Sequence, residues 1–106
     1  KRAVKIDDEP LTIDDIMDKV CSHYNVTMSA VNSRSRKKDI VMARQVSMYM
    51  AQKYTKMPAS RIGKLVGNRD HSTVIHSCSK IEDRLKVDKG FYAEIASIEN
   101  SFKLKA

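Results

Sequence analysis

Between Gly67 and Cys78 the chain reads Gly-Asn-Arg-Asp-His-Ser-Thr-Val-Ile-His-Ser-Cys, a dense run of titratable and hydroxyl side chains. Asp70, His71 and Ser72 together suggest a catalytic triad. Neighbours on one helix point about 100° apart, so the base cannot bridge nucleophile and acid, and hydrolytic chemistry is excluded. His71 and His76 are five residues apart and fall on different helix faces, unlike the His-x-x-x-His pairs of zinc enzymes. No Cys-x-x-Cys and no Gly-x-x-x-x-Gly-Lys-Ser/Thr phosphate loop occurs, which removes the common zinc and nucleotide-hydrolysis signals. What remains is recognition. Asp70 can accept from a cytosine amino group, His71 can donate or accept, and Ser72 or Thr73 can bond either way or touch a thymine methyl. Asp70 is equally a helix N-cap with Thr73 in its capping network, and one carboxylate can serve both roles. For His76, on the helix flank, structural hydrogen bonding and DNA contact stand level.

A second cluster lies upstream. Asn32-Ser33-Arg34-Ser35-Arg36-Lys37-Lys38 contains no apolar residue, so it cannot bury itself. It is either a solvated loop or a contact surface in which Arg and Lys supply charge and Ser supplies short donors. Arg36 is the residue type that enters a narrow A·T minor groove. Lys37, Lys38, Arg44 and Lys80 would neutralise phosphates beside it. The totals agree: 20 Lys and Arg against 13 Asp and Glu give a net charge of +7 over 106 residues. Such a balance favours a polyanion, nucleic acid first and an anionic membrane surface second.

Other totals bound the architecture. The length suits one domain, and only three Gly and two Pro argue for helices over a turn-rich β fold. Cys21 and Cys78 fall on apolar helical stripes and read as buried thiols, not as a disulfide or metal site. No apolar run approaches the ~20 residues of a membrane span, and no signal-peptide core is visible. A cytoplasmic protein is expected. The first residue is Lys1, not Met, which reads as a piece of something larger.

The elements that must position these clusters are helical throughout. Residues 1–10 read as a linker and 11–106 as the domain. Thr12 caps a helix to about Tyr24, with Asp15 in the capping-box position and Ile13, Ile16, Met17, Val20 and Tyr24 on one face. Asn25 ends it, and Thr27 caps a short turn to Val31. The longest helix runs from Asp39 to about Tyr54. Its core stripe is Ile40, Ala43, Val46, Met50, Ala51 and Tyr54, leaving Arg44, Gln45 and Met48 outside it. Pro58 starts a short helix to Val66 with Ile62, Leu65 and Val66 inward. Gly67 and Asn68 suit a left-handed turn. The next helix runs from about 70 to 86, with Val74, Cys78, Ile81 and Leu85 buried. Short helix, tight turn and second helix form a helix-turn-helix pattern. Asp88 caps a last helix carrying Phe91, Ile95, Ile98 and Phe102. The predicted fold is a compact all-α bundle.

At Gly67 to His76 the match to a known family becomes specific. Gly-Asn-Arg-Asp-His-Ser-Thr-Val-Ile-His resembles the signature of the bacterial chromosomal replication initiators of the DnaA family. The order of elements from about Leu11 to Phe102 resembles it too, including Ala43-Arg44-Gln45. The resemblance implies the C-terminal DNA-binding domain, with a helix-turn-helix of the Trp-repressor type. It implies double-stranded DNA as partner, in DnaA boxes of the TTATNCACA type at a replication origin, in a cytoplasmic, nucleoid-associated protein. Base contacts would come from Arg36 in the minor groove and from Asp70, His71 and Ser72 in the major groove. Arg34, Lys37, Lys38, Arg44, Gln45, Ser60, Thr73, His76 and Lys80 would make backbone or supporting contacts.

By the same resemblance this chain holds no cofactor and no catalytic site. ATP binding, and contact with other initiator protomers, would belong to an AAA+ module outside it. Regulatory proteins could occlude the DNA face, and Lys1 to Ile6 resembles a linker that touches acidic lipids in the family. Asn68 replaces a common second Gly, Ser72 a common Thr, and Ser35, Lys37 and Asp39 alter a loop often richer in Arg. These changes bear on fine sequence preference. The competing readings are a dimeric helix-turn-helix transcription regulator and a basic protein-interaction module, although no heptad or apolar patch for dimerisation is evident.

Overall fold

The helix at the centre of the fold is α3 (Lys38–Tyr54), which packs against α1 (Ile13–Tyr24), α2 (Met28–Val31), α4 (Ala59–Leu65) and α5 (His71–Val87). The last helix, α6 (Lys89–Lys103), closes over α1 and α5. A computed structural model describes residues 11–103, and among these the regular elements are all helices. The expected linker over residues 1–10, and residues 104–106, lie outside the described residues.

The helix boundaries follow local side-chain chemistry. The Asp15 N–H donates to Thr12 Oγ1 at 3.1 Å and the Thr12 N–H to Asp15 Oδ2 at 3.5 Å, the reciprocal capping box expected there. Asn25 ends α1 in the left-handed conformation at φ 57°, a geometry that Asn tolerates better than most residues. Thr27 caps α2 through the Ala30 N–H at 3.0 Å, and Asp88 accepts from the Phe91 N–H at 3.0 Å.

The core draws on every helix: Ile16 and Val20 of α1, Val31 of α2, Val46 and Met50 of α3, Ile62 of α4, Val74 and Ile81 of α5, and Ile95 and Ile98 of α6. Each such side chain contributes about 1.5–3 kcal/mol by leaving water. Three expectations need correction. Met48 and Arg44, expected outside the core stripe, are 0% and 7% exposed. With α1, α2, α4 and α5 packed around it, α3 has little free surface, so a single-stripe reading undercounts what it buries. Leu65, expected inward, is 37% exposed, because the inward positions of short α4 are taken by Ile62 and Gly63.

α6 is tied down by polar contacts as well as packing. Tyr24 Oη donates to Glu94 Oε2 at 2.5 Å, and Glu99 Oε2 accepts from Lys53 Nζ at 2.6 Å and Tyr54 Oη at 2.9 Å. Cys21 and Cys78 are buried free thiols, as expected.

Candidate nucleic-acid interface

The turn between α4 and α5 is set by two left-handed residues, Gly67 at φ 83° and Asn68 at φ 52°. It is held against α4 by the Arg69 N–H, which donates to the Gly63 carbonyl at 2.8 Å. That approach needs a residue without Cβ at 63, since a Cβ there would run into the Arg69 carbonyl. Asp70 is the N-cap of α5, its Oδ1 accepting from the Thr73 N–H at 2.9 Å. This bond holds the Asp70 carboxyl below its usual pKa. Asp70, His71, Ser72 and Thr73 are all exposed, so the polar opening of α5 faces solvent. His76 and Lys80 are exposed further along the same helix, while Val74, Ser77, Cys78 and Ile81 face inward.

The basic loop is ordered by its own serines. Ser33 Oγ donates to the Ala30 carbonyl at 2.6 Å and accepts from the Ser35 N–H at 3.1 Å, and Ser35 Oγ accepts from the Lys37 N–H at 3.2 Å. The hydroxyls expected to serve as donors to a ligand are thus engaged in shaping the loop, the local bonding that Ser favours in turns. Arg34 and Arg36 remain exposed and line one side of an open cleft of about 590 Å³, whose other walls include Ser35, Val41, Arg44 and Arg69.

Arg44 is where structure and expectation part most clearly. Its Nε donates to the Val31 carbonyl at 2.8 Å, and its Nη2 to the carbonyls of Ser33 at 3.0 Å and Ser35 at 3.1 Å. Burial, together with the charge of Arg69, pushes its guanidinium below its ordinary pKa. The side chain supports the loop from within instead of standing out beside it. Gln45 is half-buried next to it.

The remaining expected residues are spread around this centre. Lys37 is the N-cap position of α3 and exposed, and Ser60 is exposed near the start of α4. Lys38 lines a separate, smaller cleft of about 210 Å³ with Tyr24, Asp39, Met42, Arg84 and Glu94. Arg34 and Arg36 are therefore brought together near the start of α5, whereas Lys38 looks onto another surface.

Two residues escaped the sequence reading. The Arg69 guanidinium donates to the Gly67 carbonyl and, at 3.4 Å, to the Ser33 carbonyl. Asn32 Oδ1 accepts from the Gly67 N–H at 2.9 Å. A cation inside a tight turn was the available signal for Arg69. Asn32 offered only its place at the head of the apolar-free loop, with no role of its own. Among the described residues no group of three or more His, Cys, Asp or Glu side chains is arranged to hold a metal, and no helix is long and apolar enough to cross a membrane.

Residues 13–81 match the family model described as the bacterial dnaA protein helix-turn-helix. The chain belongs to this DnaA helix-turn-helix family. It is similar to the chromosomal replication initiator protein DnaA of Bacteroides thetaiotaomicron, with 48% identity over 96 residues, covering 91% of this chain and 20% of that protein. The DnaA of Bacteroides fragilis is 42% identical over 103 residues, covering 97% of the chain and 22% of the relative. That of Streptococcus thermophilus is 44% identical over 105 residues, covering 96% and 23%. The chain thus spans about a fifth of the length of these DnaA relatives. The matched region holds both clusters and the DnaA turn that separates α4 from α5.

Proposed function

We propose that this domain binds duplex DNA sequence-specifically, at DnaA boxes of the TTATNCACA type in a replication origin, as the DNA-binding part of a replication initiator. The N-terminal turn of α5 enters the major groove, where Asp70, His71 and Ser72 read base edges. Arg36 reaches into the adjacent minor groove. Arg34, Lys37, Lys38 and Lys80 contact phosphates, with Thr73, His76, Gln45 and Ser60 in support and Arg44 acting through the loop it holds. Residues 1–10 join this domain to the rest of the initiator, which supplies ATP binding and contacts with other protomers and regulators.

The observation that carries the reading is the pair of hydrogen bonds, from Arg69 to the Ser33 carbonyl and from the Gly67 N–H to Asn32 Oδ1, that holds the basic loop beside the turn preceding α5. This supports a reading in which the start of α5 and the basic loop act on one stretch of DNA, one in each groove. Membership of the DnaA family and a charge of +7 support the same partner.

The test is binding of Arg36→Ala and His71→Ala to a box duplex and to a scrambled duplex at fixed salt. Each variant is expected to lose about 1–3 kcal/mol on the box and much less on the scramble. Equal losses on both duplexes would overturn the base-reading assignment.

A further inference from the structure

Two hydrogen bonds join the loop to the turn, and neither is made by a residue expected to touch a base. Arg44 and Arg69 converge on the Ser33 carbonyl, with Nη2 of each at 3.0 and 3.4 Å. A carbonyl has two lone pairs and can accept both. Arg69 also grips the Gly67 carbonyl, and the Gly67 N–H donates to Asn32 Oδ1. The left-handed turn is therefore tied by its donor to the Asn32 side chain and by its acceptor, through the Arg69 guanidinium, to the Ser33 carbonyl.

The charges bear on this arrangement. Burial and then the nearby Arg69 disfavour the Arg44 charge, and the atoms that the two guanidinium groups bond are main-chain carbonyls, not a carboxylate. Two cations placed so against their mutual repulsion are fixing main-chain geometry. A loop without apolar residues has no burial to order it, so without such ties its ordering entropy would fall on the binding step.

We infer that Asn32 and Arg69 are positioning residues that lock the basic loop to the helix-turn-helix, so that minor-groove reading by Arg36 is set by the position of the major-groove helix. This rests on the DNA-reading proposal above and deepens it. Asn32 acts through the Gly67 N–H and Arg69 through the Ser33 carbonyl, neither touching a base. Loosening them costs groove selectivity, while the outward phosphate-binding charges stay in place.

The experiment reads the two grooves separately. The 106-residue chain is titrated by fluorescence anisotropy against a box duplex, a scrambled duplex, and a box in which 2,6-diaminopurine replaces adenine in the A·T tract. Diaminopurine adds an amino group in the minor groove and leaves the major-groove edge unchanged. Wild type is expected to bind the diaminopurine box roughly five- to tenfold more weakly, the lower range for one good base contact. Arg36→Ala abolishes that ratio. Asn32→Ala, on an exposed side chain, is expected to reduce it to about twofold or less, with a melting temperature close to wild type and an unchanged salt slope. Asn32→Asp restores the acceptor oxygen and with it the ratio, and Arg69→Lys, which loses the fork, behaves like Asn32→Ala.

Asn32→Ala and Arg69→Lys retaining the full ratio would overturn the inference while leaving DNA reading intact. Wild type binding all three duplexes alike would overturn the DNA-reading proposal, and this inference with it.

Discussion

Asp70 holds two functions in one carboxylate, and replacing it with Asn separates them. In the structure Oδ1 accepts from the Thr73 N–H at 2.9 Å, and the carboxylate's second oxygen belongs to an exposed side chain. On the proposed reading that second oxygen accepts from a cytosine amino group. Asn caps a helix about as well as Asp, so Asp70→Asn keeps its amide oxygen on Thr73 and turns its NH2 outward. A donor then meets a donor. If the amide flips to satisfy the base, the Thr73 N–H loses its acceptor. Either way one of the two bonds is forfeited, and on DNA the loss falls on the base. One good base contact corresponds to roughly 5- to 150-fold in affinity. Removing a negative charge near the phosphates acts oppositely, so the scrambled duplex is bound equally well or slightly more tightly. The box-to-scramble ratio should therefore collapse by at least fivefold while the melting temperature moves by only a few degrees. Anisotropy titrations and thermal denaturation followed by circular dichroism measure the two quantities. An unchanged ratio would show that the second oxygen reads nothing, and a large drop in melting temperature would show that the amide does not reproduce the cap.

Gly63→Ala is a better helix former by about 1 kcal/mol, yet it should destabilise the domain. Its Cβ meets the Arg69 backbone carbonyl, and overpacking against main chain costs about 1–3 kcal/mol, so the melting temperature should fall by roughly 5 °C or more. Burial pushes the Cys78 thiol from 9.0 up to about 11, with Glu82 adding to the effect. The folded state then holds a proton that the unfolded state releases first, so stability falls as pH rises from about 9 to 11, by on the order of 2–3 kcal/mol. Urea midpoints across that range should show the fall, and Cys78→Ala should lessen its lower half, where Cys21, also raised by burial, still contributes, before Lys53 and Tyr54, both raised to about 12, add to it.

The features legible in the sequence were those whose physics is local. Thr12, Thr27, Asp70 and Asp88 bond to backbone three residues ahead, and Asn25 and Gly67 take left-handed conformations where helices stop. Each is written in a window of a few residues, so spacing and residue type suffice. The face that α5 presents was legible for the same reason, since Val74, Cys78 and Ile81 define the buried side and leave Asp70, His71 and Ser72 outside. Helical periodicity assumes one wet face, and α3 has several dry ones. That is why Met48 and Arg44 were placed outside.

Arg44 shows the deeper reason why the interface was only half legible. In sequence an arginine beside a basic loop adds to the charge offered to a polyanion, and nothing in a window of residues says whether it points out or in. That depends on whether unpaired main-chain carbonyls lie within its reach. Here they do, because the loop, having no apolar residue and no helical bonding of its own, leaves the carbonyls of Ser33 and Ser35 without helical partners. Buried or half-buried carbonyls must find donors, and guanidinium groups with five N–H donors in a fixed fork are the groups best able to supply several at once. The polar composition on which the DNA proposal draws also creates the demand that turns Arg44 inward and draws Arg69 to the same carbonyl. Cations near such a loop thus divide into those that meet the ligand and those that hold the loop. The division is set by distances such as that from Arg69 to Ser33, which spans 36 positions along the chain.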